Sequence, residues 1–308
     1  MTKPDELKPP IMILSSGRTG TNMLLKLLRL HPDVAAWGEI RPIWSYGDPG
    51  REHDVFDASD ATPRVVRYIR KRFLRHQRRH GHRRVVDKTP ATLLRIDFVR
   101  AIFPEAKFIY LVRNPLSFVN STDRQWKRLP TRRNVWIRVA ITPWSQWPAG
   151  IAALGRAIVQ KLVRKKRFVQ PRGVRYPGMV EDLRTMSPTQ VMAKQWAECS
   201  RLAEAELAKL EPGLVVRVRY EDFVADPRTW FRRICEHCDL PVTDALLDQV
   251  AAAVHVDRVD KWRQFDQQAL RCCIPLMADE MRRQGYAIPD QLRPDAEHVA
   301  ADAPEEPR

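Results

Sequence analysis

The chain has 308 residues, 44% of them hydrophobic, enough to bury a substantial core as one α/β domain or two small ones, which excludes a disordered protein. Lys and Arg number 53 against 37 Asp and Glu, a formal charge of +16, so an anionic ligand, acceptor or surface is expected. No zinc-finger, homeodomain or RNP-like pattern accompanies that charge, which disfavours nucleic acid as partner, and five cysteines argue against a disulfide framework and for a reducing, cytoplasmic setting.

Residues 1–10 are polar and Pro-rich, read as a flexible N-terminus without a signal peptide. Ile11 to Ser15 is an apolar run of strand length. Ser16-Gly17-Arg18-Thr19-Gly20-Thr21-Asn22 follows, and a helix opening near Thr21 runs to Leu30. That turn is built for an anion. Gly17 and Gly20 allow positive φ and close backbone approach, and the helix points its first N–H groups and positive dipole end to the same place. Arg18 adds a permanent fork of donors, and Thr19, Thr21 and Asn22 add neutral ones. The Walker A lysine and the G-x-G-x-x-G spacing are both missing.

Asp33 to Pro42 reads as a strand ending in Glu39 and Arg41. A carboxylate leaving the carboxyl end of a parallel strand can face the ligand crevice, but on these residues alone a surface Glu39–Arg41 pair is the preferred reading. Residues 46–60 read as loop, and 64–84 as a basic helix whose arginines form a solvated face. Val85-Val86 leads into Asp87-Lys88-Thr89-Pro90, which puts Lys88 at a strand end, and Arg95 to Phe103 is an amphipathic helix. Lys107 to Val112 is the clearest buried strand. Arg113-Asn-Pro115 then opens a helix with Ser117 and Ser121 one turn apart on one face, a second anion site. Two such sites on neighbouring strands predict a ligand with two separated phosphate groups.

From 129 to 176 tryptophans alternate with Pro and Arg, ending in Arg164-Lys-Lys-Arg167. This reads as a helical insertion, either lying on an anionic membrane surface through 129–167, which would make the protein peripheral at the inner face of a membrane, or covering the site as a lid. The apolar run within it is interrupted by Arg138, Pro143, Pro148 and Arg156, so no membrane span is expected. Ser187 caps a long helix towards Leu210, Leu214 to Tyr220 is a strand, and Asp226-Pro227 opens a helix to Cys238. Cys235 and Cys238 have C-x-x-C spacing but no second pair of ligands, so buried thiols are expected and no metal. Residues 241–254 form the next helix, Lys261-Trp262 lies in a polar connection, and Gln267 to Gln284 reads as one helix closed by Gly285-Tyr286. From Arg293 the composition predicts a disordered tail. The expected organisation is a single α/β domain over 11–292, a central parallel sheet flanked by helices, with the insertion at about 129–176.

In order, Ser16-Gly-Arg-Thr-Gly-Thr-Asn22, Gly38-Glu39-Ile40-Arg41, Asp87-Lys88-Thr89-Pro90, Arg113 with Ser121 eight residues on, Arg219-Tyr220-Glu221-Asp222, Lys261-Trp262 and Gln284-Gly285-Tyr286 resemble the landmarks of the PAPS-dependent sulfotransferases. The branch they are most similar to contains the protein-tyrosine sulfotransferases and bacterial relatives. The resemblance implies a P-loop-like three-layer fold, PAPS as donor, and in-line transfer of a sulfuryl group to an acceptor hydroxyl. It further implies Glu39 as general base with a pKa raised by burial, and Lys88 and Arg18 as cations at the reacting group. Residues 16–22 would hold the 5′-phosphosulfate, Arg113 and Ser121 the 3′-phosphate, with Tyr220 and Lys261 as lesser contacts. Thr19 and Asn22 depart from the family's usual Ser and Thr, and its later cofactor-binding Ser has no counterpart. Because the insertion falls where acceptor choice is set, a tyrosine acceptor is not carried over; a carbohydrate, glycolipid or other small hydroxyl acceptor is expected. The competing readings are a kinase-like enzyme with a degenerate phosphate loop and a non-catalytic basic polyanion-binding protein.

Overall fold

A computed structural model describes residues 6–126, 172–254, 259 and 261–293. The frame is a five-stranded parallel sheet in the order β2-β3-β1-β4-β5. Its strands are β1 (Ile11–Leu14), β2 (Val34–Gly38), β3 (Arg84–Lys88), β4 (Lys107–Val112) and β5 (Val215–Arg219). β1 is central and every residue in it is buried. Successive strand residues face opposite ways, and the two apolar layers divide β1 accordingly. Met12 and Leu14 join α3 (Pro63–Arg79), α4 (Ile96–Ile102) and α7 (Pro188–Leu207). Ile11 and Ile13 join α1 (Thr21–Leu28), α8 (Tyr220–Ala225), α9 (Pro227–His237) and α10 (Asp244–Ala253). β1 and β4 are apolar runs rather than alternating ones because both faces are covered there, whereas the edge strand β5 alternates and exposes Arg217.

A third apolar cluster packs α5 (Pro115–Trp126) against α7 and α12 (Ile274–Arg283), through Phe118, Trp196 and Met277. Two short helices, α2 (Arg41–Trp44) and α6 (Met179–Thr185), and α11 (Gln267–Arg271) complete the α-helices among the described residues.

Several boundaries differ from the sequence reading. β2 stops at Gly38, because Glu39 turns to φ 57 and Pro42 sits in the first turn of α2. The basic helix ends at Arg79, where Gly81 (φ 67) and His82 (φ 56) reverse the chain, and Arg84 belongs to β3. The expected helix 267–284 is two helices: Pro275 cannot donate to the ladder, and the chain breaks at Cys272-Cys273 and restarts with Pro275 in the first turn of α12. The segment ahead of β1, expected as flexible, is hydrogen-bonded to the body where it is described, Lys8 N donating to Gln77 Oε1 (2.9 Å) and Arg84 Nε to the Pro9 carbonyl (2.6 Å). Most of the expected insertion, 127–171, and the tail from 294 lie outside the described residues. The returning end, 172–176, is core: Val174 and Tyr176 are buried, and Gln195 Nε2 donates to the carbonyls of Arg172 (2.8 Å) and Val174 (2.7 Å). Cys235 and Cys238 are buried free thiols, and burial pushes each up to about 12.

Candidate active site

The loops that leave the carboxyl ends of β1, β2, β3 and β4 meet at one end of the sheet, where ligands of parallel sheets gather. The β1–α1 loop runs through Gly17 (φ 86), Arg18 (φ 54) and Gly20 (φ 93), and α1 begins at Thr21 with no side-chain cap. Its first N–H groups therefore point out of the helix without a side-chain acceptor. Thr19 is fully buried in this loop and its hydroxyl has no hydrogen-bond partner. Gly20 lies against Tyr220, where a Cβ would come within 2.5 Å of the ring.

Lys88, the last residue of β3, is buried, and its Nζ donates to Glu39 Oε1 at 2.9 Å. The Glu39 amide donates in turn to the Lys88 carbonyl at 2.9 Å, so the pair is joined through both side chain and backbone. The burial expected for Glu39 is not found: its side chain is 60% exposed, against 3% for Lys88. Arg41 binds the buried Asp54 with Nη2 and the Gly173 carbonyl with Nη1.

Arg113 follows β4, and its Nη1 donates to the Arg18 carbonyl at 3.2 Å while its guanidinium lies 4.4 Å over the Tyr220 ring. Burial pulls its pKa below the ordinary guanidinium value. Arg18 Nε donates to Ser121 Oγ at 3.2 Å, so Arg18 ties together the two loops that the sequence reads as separate anion sites. Ser117 does not join them: it is buried and donates to the Val259 carbonyl at 2.8 Å. Lys261 is brought to α5 through its carbonyl, which accepts from Asn120 Nδ2 at 2.7 Å.

The late landmarks brace these loops. Glu221 accepts from the Asn114 amide (3.0 Å) and from the Tyr286 hydroxyl (3.2 Å), and Arg219 lies 4.4 Å over the Tyr286 ring. Tyr220 itself is buried between Gly20 and Arg113. Sequence reasoning gave Glu221 no role, because its partners are 107 and 65 residues away.

A cleft opens at this end of the molecule. The β1–α1 loop lines it with Ser16, Gly17, Arg18, Thr21 and Asn22, and Glu39 and Lys88 line it beside them. Across from these, α5 contributes Phe118, Thr122, Gln125 and Trp126, residues that sequence reasoning missed although their spacing of four, three and one marks a helix face. Thr19, Gly20, Arg113, Ser121, Tyr220 and Lys261 are not part of that lining; Arg113 and Ser121 instead hold Arg18, through its carbonyl and its Nε. Among the described residues no helix is long and apolar enough to cross a membrane.

Comparison with known proteins agrees with this geometry. A model of the sulfotransferase family matches residues 9–187 and 181–244. The protein-tyrosine sulfotransferase of Drosophila melanogaster is 22% identical over 287 residues, covering 82% of this chain and 47% of its own length. The nodulation protein NoeE of Sinorhizobium fredii is 27% identical over 129 residues, 37% of this chain and 31% of its own. This chain thus spans a half or less of those two relatives. Among solved structures, the sulfotransferase domain of the curacin biosynthetic pathway superposes with a TM-score of 0.56 at 20% identity, covering 92% of this chain and all of that domain. The sulfotransferase domain of the Synechococcus PCC 7002 olefin synthase gives 0.52 at 19%, covering 94% of this chain and 99% of that one. With the family matched from residue 9 to residue 244 and the strand-end loops assembled into one cleft, the chain belongs to the sulfotransferase family.

Proposed function

We propose that the protein transfers a sulfuryl group from PAPS to an acceptor hydroxyl, with Glu39 as the general base. The observation that carries this reading is the Lys88–Glu39 pair beside the β1–α1 loop: a buried ammonium, an exposed carboxylate and an anion-binding helix terminus line one cleft. The residues present fit the donor. The uncapped start of α1 and the buried Thr19 hydroxyl without a partner are donors awaiting acceptors, as a phosphosulfate group supplies. Residues 16–22 would hold that group, Arg113 and Ser121 the 3′-phosphate, and Tyr220 and Lys261 would support them.

When bound, PAPS supplies an electrophilic sulfur and a phosphate leaving group. Glu39 takes the proton of the acceptor hydroxyl, its exposed carboxylate open to the cleft and oriented by Lys88. Lys88 and Arg18 hold positive charge where negative charge builds in an in-line displacement, and they need no reorganisation to do so. The acceptor is read as a hydroxyl of a carbohydrate, glycolipid or other small molecule, supported by Trp126 and Phe118 beside the polar Thr122 and Gln125. An anionic membrane surface bound through 129–167 belongs to the same proposal, and its test is flotation with anionic liposomes.

Calorimetric titration with PAP, without metal and with ATP as competitor, tests the donor. Tight PAP binding that Arg113→Ala weakens is the expected result. PAP binding no better than ATP, unchanged by Arg113→Ala, would move the basic polyanion-binding reading to the front.

A further inference from the structure

Glu39 sits in the left-handed region, at φ 57, where the Cβ of any residue but glycine crowds the backbone. Something must hold it. Behind it stand three buried groups with no part in binding or proton transfer as described above. Asp87 Oδ2 accepts from Trp44 Nε1 at 3.0 Å, and its Oδ1 accepts from Thr89 Oγ1 at 2.9 Å. The Thr89 oxygen accepts in turn from the Ile40 amide at 3.0 Å. Each of the three side chains is at most 1% exposed.

The chain of contacts therefore runs from the strand residue before Lys88 to the backbone residue after Glu39. On the other side of the same turn, the Glu39 amide is fixed to the Lys88 carbonyl. The two backbone N–H groups flanking the strained residue, at 39 and 40, are thus both satisfied from the β3 end, one by a carbonyl and one by an oriented hydroxyl. Thr89 has one proton, and a carboxylate at Asp87 claims it, which leaves the hydroxyl oxygen to accept from Ile40. Trp44 locks the second carboxylate oxygen, so Asp87 has one rotamer that serves both partners.

We propose that Asp87 and Thr89 are positioning residues for Glu39: the Asp87–Thr89–Ile40 relay holds the backbone at residues 39–40 in the conformation that sets the Glu39 carboxylate beside Lys88. The proposal rests on the reading of Glu39 as general base for its catalytic meaning, and on geometry alone for its structural one. The relay is also proton-sensitive. Burial pushes the Asp87 carboxyl up to about 7, opposed by the hydrogen bonds from Thr89 and Trp44 and by Lys88 on its own strand. The other charges near it belong to the far side of Trp44, where Arg95 Nη1 donates to the Trp44 carbonyl (2.7 Å) and binds Asp54. They meet the indole's backbone and not the carboxyl. Protonated Asp87 no longer needs the Thr89 proton, and the hydroxyl is freed to turn away from Ile40.

The test is an amide and indole NMR titration of the full chain, from mildly acidic to mildly alkaline pH, of wild type, Asp87→Asn, Thr89→Val and Thr89→Ser. In wild type the Trp44 indole proton and the amides of Glu39 and Ile40 should titrate together with a midpoint near 7. Asp87→Asn abolishes that midpoint; Thr89→Val keeps it at Trp44 and loses it at Ile40 and Glu39; Thr89→Ser restores it. In parallel, Thr89→Val should lower PAPS turnover roughly tenfold to a hundredfold while PAP affinity changes less than about threefold. Glu39 and Ile40 amides that ignore the state of Asp87, or PAP affinity that falls in step with turnover, would overturn the proposal. Because the spectra need neither donor nor acceptor, a protein that does not bind PAPS at all sinks the sulfotransferase reading and leaves the relay to be judged on its titration.

Discussion

Lys88 Nζ and Glu39 Oε1 lie 2.9 Å apart across the β3 and β2 strand ends, one side chain almost wholly buried and the other mostly open to the cleft. A pair so arranged divides the labour: the ammonium is fixed by its surroundings, and the carboxylate can meet an incoming group. Glu39→Gln keeps the size and hydrogen-bonding reach but removes the base. Turnover of PAPS with any accepted hydroxyl should fall by roughly 10²- to 10⁴-fold, with PAP affinity little changed. Lys88→Met should lower both, because the lysine is assigned to the donor's charge as well as to Glu39. Calorimetry and turnover on the two variants separate these patterns; equal loss of PAP affinity in both would count against Glu39 as base.

Gly20 offers a steric test of the anion loop. At φ 93 any side chain is strained, and here a Cβ would also come within 2.5 Å of the Tyr220 ring, over which the Arg113 guanidinium lies at 4.4 Å. Gly81, at φ 67 with nothing within 4 Å, carries the backbone strain alone. Gly81→Ala should therefore cost about 1–2 kcal/mol, and Gly20→Ala more than that, together with weakened PAP binding. Urea unfolding of both variants reads the difference. Equal costs would mean that Tyr220 swings aside freely and does not brace the loop.

The strand ends were the legible part of the molecule. Ile11 to Leu14 and Lys107 to Val112 are apolar because both sheet faces are covered, and Gly17, Gly20, Lys88 and Arg113 sit where such strands stop. What local pattern cannot carry is pairing at a distance. Asp54 lies in a stretch rich in Gly and Asp that reads as loop, yet it is fully buried and binds Arg41, Arg95 and Arg175. Arg95 reads as the first residue of an amphipathic helix and is equally buried. The Pro275 signal was present in the sequence and was outweighed by the helix-forming residues around it. Glu39 gave no hint of its positive φ, because the hydrogen bonds that hold it come from Lys88 at the end of β3 and from Thr89 just after it.

That buried cluster fastens the turn after Glu39 to the chain that re-enters at Arg172. Arg41 reaches the Gly173 carbonyl, the Arg175 amide donates to Asp54 Oδ2 at 2.8 Å, and Arg95 Nε donates to the Asp54 carbonyl at 3.0 Å. Asp54→Asn leaves guanidinium groups facing a neutral amide, with Arg95 unable to reach water. A loss of about 3–5 kcal/mol is expected, against about 0–1 kcal/mol for Asp244→Asn, whose pairs with Arg228 and Arg232 are exposed. Chemical denaturation of both variants decides it. Similar costs would show that the buried charges are solvated or rearranged in solution.

Two of the buried carboxylates, Asp54 and Asp87, predict opposite responses to pH. Desolvation raises the Asp54 pKa, but Arg41, Arg95 and Arg175 outweigh it and hold the carboxyl below its ordinary value. Its contribution is present above the unfolded pKa and is lost as pH falls through the folded one. Asp87 is raised to about 7 by burial, against the pull of Thr89, Trp44 and Lys88. Its contribution is full below the unfolded value of about 3.9 and is lost as pH rises through 7. In the range about pH 6 to 8 Asp54 stays ionised and contributes no slope, so Asp87 alone of the two acts there. Over those two units it should lower the unfolding free energy by roughly 1 kcal/mol, and Asp87→Asn should remove that fall. Urea denaturation at a series of pH values measures it on both proteins. A slope that survives the substitution would assign the titration to another group, and the proton sensitivity of the Asp87–Thr89–Ile40 relay would go with it.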